Sequence, residues 1–236
     1  MTTIREREMT CAVCGHTFTG QVLSSTNTLG PPDLDLRPAE MARSTLGKEI
    51  SVCPKCHYVS QDIEEPVSED IRSFVILDLE FQKSYIAYSV QAFRNLMRIA
   101  VREGRYHDAF WAYLKSAWVD EGRDRLNPSP LRQEILDFFL QHEDELEFDN
   151  DTKLSLKADL LRRTGHFKEV IELVEAANPS DSQTDLILHF QKHLAEEENV
   201  VCYTVGFAHR WQEETGFVSS KPEKEIPTMK ITMDFL

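Results

Sequence analysis

Long apolar runs are missing from this chain. Its longest apolar stretches, Phe74–Leu77 and Val200–Val205, fall far short of the roughly 20 residues that a membrane-spanning helix needs. The first ten residues, Met1–Thr10, are polar and charged, and no apolar segment of the kind found in signal peptides follows them. We therefore expect a protein without a membrane segment or a secretion signal.

A surplus of positive charge is also missing. The chain carries 26 Lys and Arg against 40 Asp and Glu, which gives a net charge of −14. In residues 1–60 basic and acidic side chains are equal in number, and four metal-bound thiolates would add about two negative charges there. Proteins bind nucleic acid and anionic membranes through Lys and Arg. The composition therefore disfavours both as partners.

Signatures of two large enzyme classes are absent too. Gly47-Lys48 lacks the preceding glycine and the following Ser or Thr of a phosphate-binding loop, and the Gly-x-Ser-x-Gly of serine hydrolases does not occur. His189 and His193 lie four positions apart on a predicted helix, a spacing that could chelate a second metal. The catalytic HExxH form would need Glu where Phe190 stands. A solvated polar face is the alternative for these two histidines.

Cysteine is scarce, and its placement is informative. Of five cysteines, four fall in two Cys-x-x-Cys motifs and Cys202 stands alone. Secreted disulfide frameworks do not show this pairing, whereas metal-binding proteins of a reducing cytoplasm do. The sequence therefore predicts a cytoplasmic metal-binding protein.

The two motifs suit one tetrahedral metal site. Each Cys-x-x-Cys turn places two thiolates on one side of a tight loop, and two facing turns complete a tetrahedron with metal–sulfur bonds of about 2.3 Å. We predict one structural zinc ion, because four protein ligands leave no position for a reactive water. Its ligands are Cys11, Cys14, Cys53 and Cys56. Iron in a rubredoxin-like site and a redox-active dithiol are the alternatives.

The insert between the two motifs is long and contains several prolines, which oppose regular structure. Two interpretations are open. One is an ordered loop that packs on the ribbon through Leu34 and Leu36. The other is a recognition loop in which three charged side chains bind a partner: Asp33, Asp35 and Arg37.

Beyond Pro66 the apolar residues recur with the period of an α-helix. Two segments, Gly104–Ala109 and Gly165–Val170, match position by position, with a glycine, an aromatic residue two later and a small apolar residue three beyond that. Such a joint connects the two helices of a tetratricopeptide repeat. The copies lie 61 positions apart instead of roughly 34. We therefore expect an irregular array, with an ordinary helical bundle as the alternative.

These patterns predict a mainly α-helical protein that begins with a small N-terminal β zinc ribbon, followed by an irregular TPR-like α-helical array. We place the ribbon and its long inserted loop at residues 1–65. The helical domain follows at residues 66–200, and a C-terminal extension occupies residues 201–236.

The chain resembles a bacterial family of unknown function that joins an N-terminal zinc ribbon to a tetratricopeptide-like helical domain. The matching segments are Cys11–Gly15, Asp33–Pro38, Cys53–Tyr58, Ala109–Trp118 and Ala158–Glu172. His57 stands where this family usually has glycine, but no metal ligand is lost. The resemblance implies the architecture alone, since the family has no established reaction.

The leading hypothesis is a non-enzymatic adaptor that binds a protein partner along its helical array, because stacked helix pairs form extended concave surfaces. Five side chains of the first predicted long helix are candidates to line this surface: Tyr85, Tyr88, Arg94, Arg98 and Arg102. The alternatives are a zinc-ribbon protein that binds nucleic acid and a metal-dependent enzyme subunit that uses the face of His189 and His193.

Overall fold

The structure, a computed structural model, describes residues 2–82, 90–122 and 124–223. Tyr85 and Tyr88, two of the residues predicted to line a binding surface, lie outside the described residues. The end of the predicted C-terminal extension, residues 224–236, lies outside them as well. Within the described ranges, no helix has the length and apolar character needed to cross a membrane.

A small β ribbon forms the N-terminal part of the chain. Strand β1 (Thr3–Thr10) pairs antiparallel with β2 (Thr17–Ser25), and β3 (Ser51–Val52) pairs antiparallel with β4 (Val59–Ser60). One Cys-x-x-Cys motif lies in the turn of each hairpin. The charged side chains of β1 are exposed, and its far edge carries no strand in the part of the chain that the structure describes.

Helices make up most of the described chain, which confirms the predicted fold class. A short helix, α1, and a single 3-10 turn lie inside the long insert, and the other helices follow the ribbon. The helices are α1 (Ala42–Thr45), α2 (Glu69–Leu77), α3 (Leu79–Gln82), α4 (Val90–Arg102), α5 (Tyr106–Glu121), α6 (Leu131–Gln141), α7 (Asn150–Arg163), α8 (Phe167–Ala176), α9 (Ser182–Glu196) and α10 (Val205–Thr215).

Local sequence explains where several helices begin. The side-chain oxygens of Ser68, Asp149 and Asp181 precede α2, α7 and α9, and each accepts a hydrogen bond from the backbone amide three residues later. The first turn of a helix leaves its amides without an internal partner, and a side-chain oxygen at this position satisfies one of them. These three residues therefore fix the start of three helices.

The two predicted helix joints share one geometry. Gly104, between α4 and α5, and Gly165, between α7 and α8, have φ angles of 72° and 82°. After each glycine, the next amide donates to the carbonyl five residues back: Arg105 to Ala100 and His166 to Leu161, both at 2.9 Å. This arrangement ends a helix through a left-handed residue, a conformation that glycine adopts without strain. The sequence match between the joints is thus a structural match.

Helices α4 to α10 pack in chain order, each against the next, and α7 also contacts α9. One apolar core lies between the ribbon and helices α2 to α4, and the largest core lies among α5 to α9. A third core joins α9 and α10 to Leu34 of the insert. Packed helices therefore continue through α10, inside the segment that the sequence assigned to a C-terminal extension.

Candidate metal centre and buried charge network

The two Cys-x-x-Cys turns have the same backbone geometry. In each, the amide after the second cysteine donates to the carbonyl of the first: Gly15 to Cys11 at 2.8 Å, and His57 to Cys53 at 3.0 Å. Both turns end in the left-handed region, with φ of 67° at Gly15 and 57° at His57. Glycine adopts this conformation freely, and histidine does so more readily than most residues. The second turn therefore accommodates His57 without loss of its shape.

The four sulfur atoms meet as a tetrahedral metal site requires. All four Sγ atoms lie within 4.8 Å of one another, and the pairs Cys11–Cys56 and Cys14–Cys53 are each 3.6 Å apart. A tetrahedron with metal–sulfur bonds of about 2.3 Å has edges of about 3.8 Å. The cluster could therefore hold a metal ion such as zinc, and the four predicted ligands are the residues that form it.

The electrostatics of the cluster favour a bound cation. Cys11, Cys53 and Cys56 are buried, and Cys14 is half-buried. The hydrogen bond with Cys56 lowers the pKa of Cys11 to about 5, whereas burial raises the pKa of Cys53 to about 11. One thiolate forms readily, but further negative charges this close together and this far from water need a compensating cation.

Neighbouring segments hold the first Cys-x-x-Cys turn in place. The amide of Ala12 donates to the carbonyl of Ile63 at 3.0 Å, and Arg72 of α2 donates to the carbonyl of Val13. Four protein thiolates leave no coordination position for water or substrate. The arrangement is therefore suited to an ion that joins the two hairpins rather than to one that performs hydrolysis.

The tip of the insert, residues 31–37, packs on the helical array rather than on the ribbon. Leu34 is 2% exposed and lies in the core shared by α9 and α10, whereas Leu36 is 39% exposed. The Leu34 amide donates to the carbonyl of Tyr203, and the Val205 amide donates to the carbonyl of Pro32, both at 2.9 Å. The interpretation in which the insert packs on the ribbon through Leu34 and Leu36 is therefore wrong, because Leu34 is buried against α9 and α10 instead.

Asp35, at the tip of the insert, is buried among cationic side chains. Its carboxylate accepts hydrogen bonds from Nε1 of Trp118 at 2.7 Å and from Arg132 at 2.6 Å, and Nη1 of Arg163 lies 3.7 Å away. Burial opposes ionisation, but the charges of Arg132 and Arg163 outweigh it. Together they hold the pKa of Asp35 well below its usual value. Asp35 therefore carries a negative charge inside the protein.

Glu121, the last residue of α5, is a second buried carboxylate. It accepts a hydrogen bond from Nε of Arg132 at 2.6 Å, and Nη2 of Arg163 lies 3.1 Å from it. Burial raises the pKa of Glu121, but the hydrogen bond and the charge of Arg132 lower it by more, so the pKa of Glu121 is below its usual value.

The tip of the insert is also bound at this end of α5, because Arg37 donates a hydrogen bond to the carbonyl of Gly122 at 2.7 Å.

Helix α7 supplies a third buried carboxylate. Arg162 donates to Asp159 at 2.9 Å, and Arg132 reaches Asp159 from α6 at 3.4 Å. Arg162 also donates to the carbonyls of Asn199 and Val201 at 2.8 and 2.9 Å, which ties α7 to the segment before α10. Burial dominates here: it raises the pKa of Asp159 and lowers the pKa of Arg162.

We call eight buried side chains the charge network: Asp33, Asp35, Glu121, Asp159, Arg37, Arg132, Arg162 and Arg163. Four are acidic and four are basic, and Asp33 also pairs with Arg43 and Arg125 at the edge of the network. The tip of the insert contributes three of them, and helices α5, α6 and α7 contribute the other five. The stability of such a network depends on each of its members, because removal of one buried charge leaves another uncompensated.

Sequence reasoning missed the helical half of this network: Glu121, Arg132, Asp159, Arg162 and Arg163. One signal could have found part of it. Arg162 lies four positions after Ala158, so the helical period assigns it to the apolar face of α7. A charged residue on such a face indicates a buried partner. No comparable pattern marks Glu121 or Arg132.

The residues predicted to bind a partner fall into two groups. Asp33, Asp35 and Arg37 are 0%, 1% and 5% exposed and contact the chain's own helices, so an internal role accounts for them. The other group lies on α4, where each arginine is paired with a carboxylate of the chain. These pairs are Arg94–Glu134, Arg98–Asp78 and Arg102–Asp70. Partner binding by the α4 arginines stays a prediction.

The face of His189 and His193 packs α9 against α10 and the residues that directly follow α10. The His189 ring lies 4.8 Å from the ring of Phe217, and the His193 ring lies 5.6 Å from that of Trp211. Among the described residues, the four cysteines are the only group of three or more clustered metal ligands. A metal-dependent enzyme subunit that uses this histidine face is therefore not favoured.

A groove of about 300 Å³ lies between α2 and α4, lined in part by Phe74, Leu77 and Arg102. Beside it, neighbouring aliphatic side chains are unusually exposed: 76% for Leu77, 74% for Leu79 and 47% for Ile76. These three residues, which we call the apolar row, lie on the helices that connect the ribbon to the array.

No protein-family model, no curated protein and no solved structure matches the chain. The structure supports the two parts of the predicted architecture, a cluster of four cysteines and a helical region that follows it, and no comparison shows a family.

Proposed function

We propose that this protein is a non-enzymatic, zinc-binding adaptor that binds a segment of a partner protein through its helical array. The observation that carries the proposal is the apolar row of Ile76, Leu77 and Leu79 beside the α2–α4 groove. Clustered aliphatic side chains on a protein surface often mark the place where another protein binds. The matching joints at Gly104 and Gly165 support a repeat-like array, a scaffold that presents extended binding surfaces.

The α2–α4 groove offers apolar and polar contacts together. Phe74 and Leu77 provide its apolar part, and Arg102, paired with Asp70 at 2.6 Å, stands at its rim. Exposed ion pairs contribute little to affinity, but they oppose partners whose charge pattern does not match. This combination suits a peptide segment that inserts an apolar side chain between polar neighbours.

Zinc is the ion that we propose for the four cysteines. A closed tetrahedral set of four thiolates is typical of structural zinc, and iron binds the same donors. Elemental analysis of the protein purified without added metal distinguishes them. We expect about one zinc ion per chain, and an iron-loaded protein with visible thiolate-to-iron absorption would overturn the choice of zinc.

Site-specific photo-crosslinking tests the adaptor proposal. A photoreactive phenylalanine analogue replaces Leu79, and the protein is illuminated in a nuclease-treated lysate of its source cells. We expect a crosslink to one discrete protein, and we expect Leu77→Glu to abolish it. The matched control carries the same analogue in place of Leu140, which is exposed on α6 away from the groove.

Two outcomes would overturn the adaptor proposal. Identical crosslinks from positions 79 and 140 would show that the apolar row has no selectivity. A crosslinked species that forms only when the nuclease treatment is omitted would instead indicate nucleic-acid binding, despite the net charge of −14.

A further inference from the structure

The insert, residues 26–50, is a continuous connection between the ribbon and the helical array. It leaves the ribbon at the end of β2 and returns at the start of β3. At its base, Lys48 donates to Gln21 of β2 at 2.7 Å, and the neighbouring Glu49 accepts from Lys115 of α5 at 2.6 Å. The base therefore contacts the ribbon and the array at the same time.

The two arms of the insert are bonded to each other between its base and its tip. Thr28 forms an antiparallel bridge with Met41, and the amide of Leu29 donates to the carbonyl of Glu40 at 2.5 Å. Because the arms are paired, a displacement at the base is passed along the insert to its tip.

The tip is part of the core of the array. Asp35 accepts hydrogen bonds from Trp118 and Arg132, and Leu34 is buried with side chains of α9 and α10. Asp33 forms ion pairs with Arg43 of the insert at 2.7 Å and with Arg125, between α5 and α6, at 3.2 Å. Helices α5, α6, α9 and α10 thus have their native environment only while the tip is in place.

We infer that metal binding at the four cysteines is thermodynamically coupled to the docking of the insert tip, so that metal occupancy of the ribbon controls the order of the array around the tip. A bound metal holds the two hairpins together and so fixes both ends of the insert. Without the metal, the two hairpins lose the connection through the cysteines, the base of the insert is held less firmly, and the effective concentration of the tip at its site falls. The inference rests on metal binding by the ribbon, but it does not depend on the adaptor role.

Coupling of this kind is reciprocal. If the metal stabilises the docked tip, a substitution that loosens the tip must weaken metal binding. Weaker metal binding in a variant of Asp35 would therefore indicate coupling through the insert and not a direct effect on the metal site. Asp35 contacts the array, and the side chains packed around the cysteines do not include it.

Hydrogen exchange measured with and without metal tests the first direction. The amides of Leu34 and Val205 bond across the tip and report its docking, and the peptide that covers α8 is the internal control. After removal of the metal by a chelator, with metal loss verified in the same sample, we expect exchange at Leu34 and Val205 to rise about tenfold. Exchange in α8 should change little.

Zinc affinity tests the reverse direction. We expect Asp35→Asn to weaken zinc binding about tenfold in a competition assay with a chromophoric chelator. Arg43→Gln is the milder second variant, because Arg43 is bonded to Asp33 and to the carbonyl of Pro38 at the edge of the network. The matched control is Asp108→Asn, which removes an exposed carboxylate of α5 that pairs with Arg105 and should leave zinc affinity unchanged.

Several outcomes would overturn the inference. Unchanged exchange at Leu34 and Val205 after metal loss would do so, and so would unchanged zinc affinity in both Asp35→Asn and Arg43→Gln. An equal rise of exchange in α8 would show that metal loss unfolds the whole chain. The insert would then not be what links metal binding to the array. A chain that takes up no metal would overturn metal binding itself, a result independent of the adaptor test.

Discussion

The cysteine cluster and the charge network both keep ionisable groups away from water, but they balance charge differently. The cluster brings together four groups of like charge, Cys11, Cys14, Cys53 and Cys56, and needs a cation from solution. The network draws four positive and four negative side chains from the chain itself. The charge of the cluster is therefore balanced from outside the chain, whereas the charge of the network is balanced by side chains of the same chain.

The largest effect is expected from Cys53→Ser, which removes one ligand of the cluster. Structural zinc contributes roughly 10–16 kcal/mol to the folding of small zinc domains. We therefore expect loss of bound metal and of ordered structure in the ribbon, while the α8 region stays helical. Elemental analysis and circular dichroism measure the two effects. Cys202→Ser removes a thiol outside the cluster and should retain the metal; retention by Cys53→Ser would contradict the four-ligand site.

The second largest effect is expected from a substitution in the charge network. Arg132→Met removes the cation that contacts Asp35, Glu121 and Asp159. Loss of one partner of a buried ion pair typically costs about 3–5 kcal/mol, because the other charge is left uncompensated. We expect a fall of this size in the free energy of unfolding, measured in urea at saturating zinc.

Arg105→Met is the matched control for that substitution. Arg105 forms its ion pairs with Glu103 and Asp108 at the surface, where such pairs contribute at most about 1 kcal/mol. Equal losses of stability for the two variants would show that the network is no more important than a surface ion pair.

The network also predicts a dependence of stability on pH. The pKa values of Asp35 and Glu121 are lower in the folded protein than in the unfolded chain, so their contribution to stability is fully present above about pH 4.5 and is lost gradually as the pH falls from there toward their folded-state pKa values. The raised pKa of Asp159 acts in the opposite direction and offsets part of this loss.

Thermal unfolding from pH 7 to pH 3 measures this dependence. Acid also releases the metal, so the informative quantity is the difference between the native chain and Asp35→Asn. We expect this difference in midpoint temperature to shrink as the pH falls below about 4.5, because Asp35 takes up a proton in the unfolded chain there while its lowered pKa keeps it ionised in the folded protein. A difference that stays constant with pH would contradict an ionised Asp35.

The smallest effect is expected at the helix joints. Gly104→Ala and Gly165→Ala place a Cβ in open space, so the only cost is the left-handed backbone, about 1–2 kcal/mol. Thermal unfolding should show similar shifts for both, since the joints share one geometry. Gly104→Asn is the control, because asparagine tolerates this conformation and should cost less. Unequal shifts would mean that the two joints are not equivalent.

Sequence could predict the metal cluster because its pattern is local. Each Cys-x-x-Cys turn specifies its own geometry, and pairing the two turns requires no knowledge of the helices. The charge network is the opposite case. Trp118 and Arg132 lie 83 and 97 positions from Asp35, and arginine and aspartate are common on every protein surface. Only the folded array shows which of them meet.

The helices also differ in how clearly their own sequence predicts them. The joint at Gly165 has a clear signal, and the structure places α7 and α8 on either side of it. Helix α10 lacks such a signal, because it opens with Val205 and Gly206, which favour helices poorly. Contacts of Ala208 and Trp211 with the core of α9 hold it in place, and these contacts are not visible in its own sequence.

The exposed strand β1 has a consequence for self-association. Arg5 and Arg7 lie on one face of the strand, and Glu6 and Glu8 lie on the other. When two copies of a strand pair antiparallel about a twofold axis, residues on the same face come opposite each other, so arginine meets arginine and glutamate meets glutamate. Like charges in these positions are destabilising, and charged edges are a common protection against aggregation. Two ribbons therefore repel each other along this edge, although no strand covers it among the residues that the structure describes.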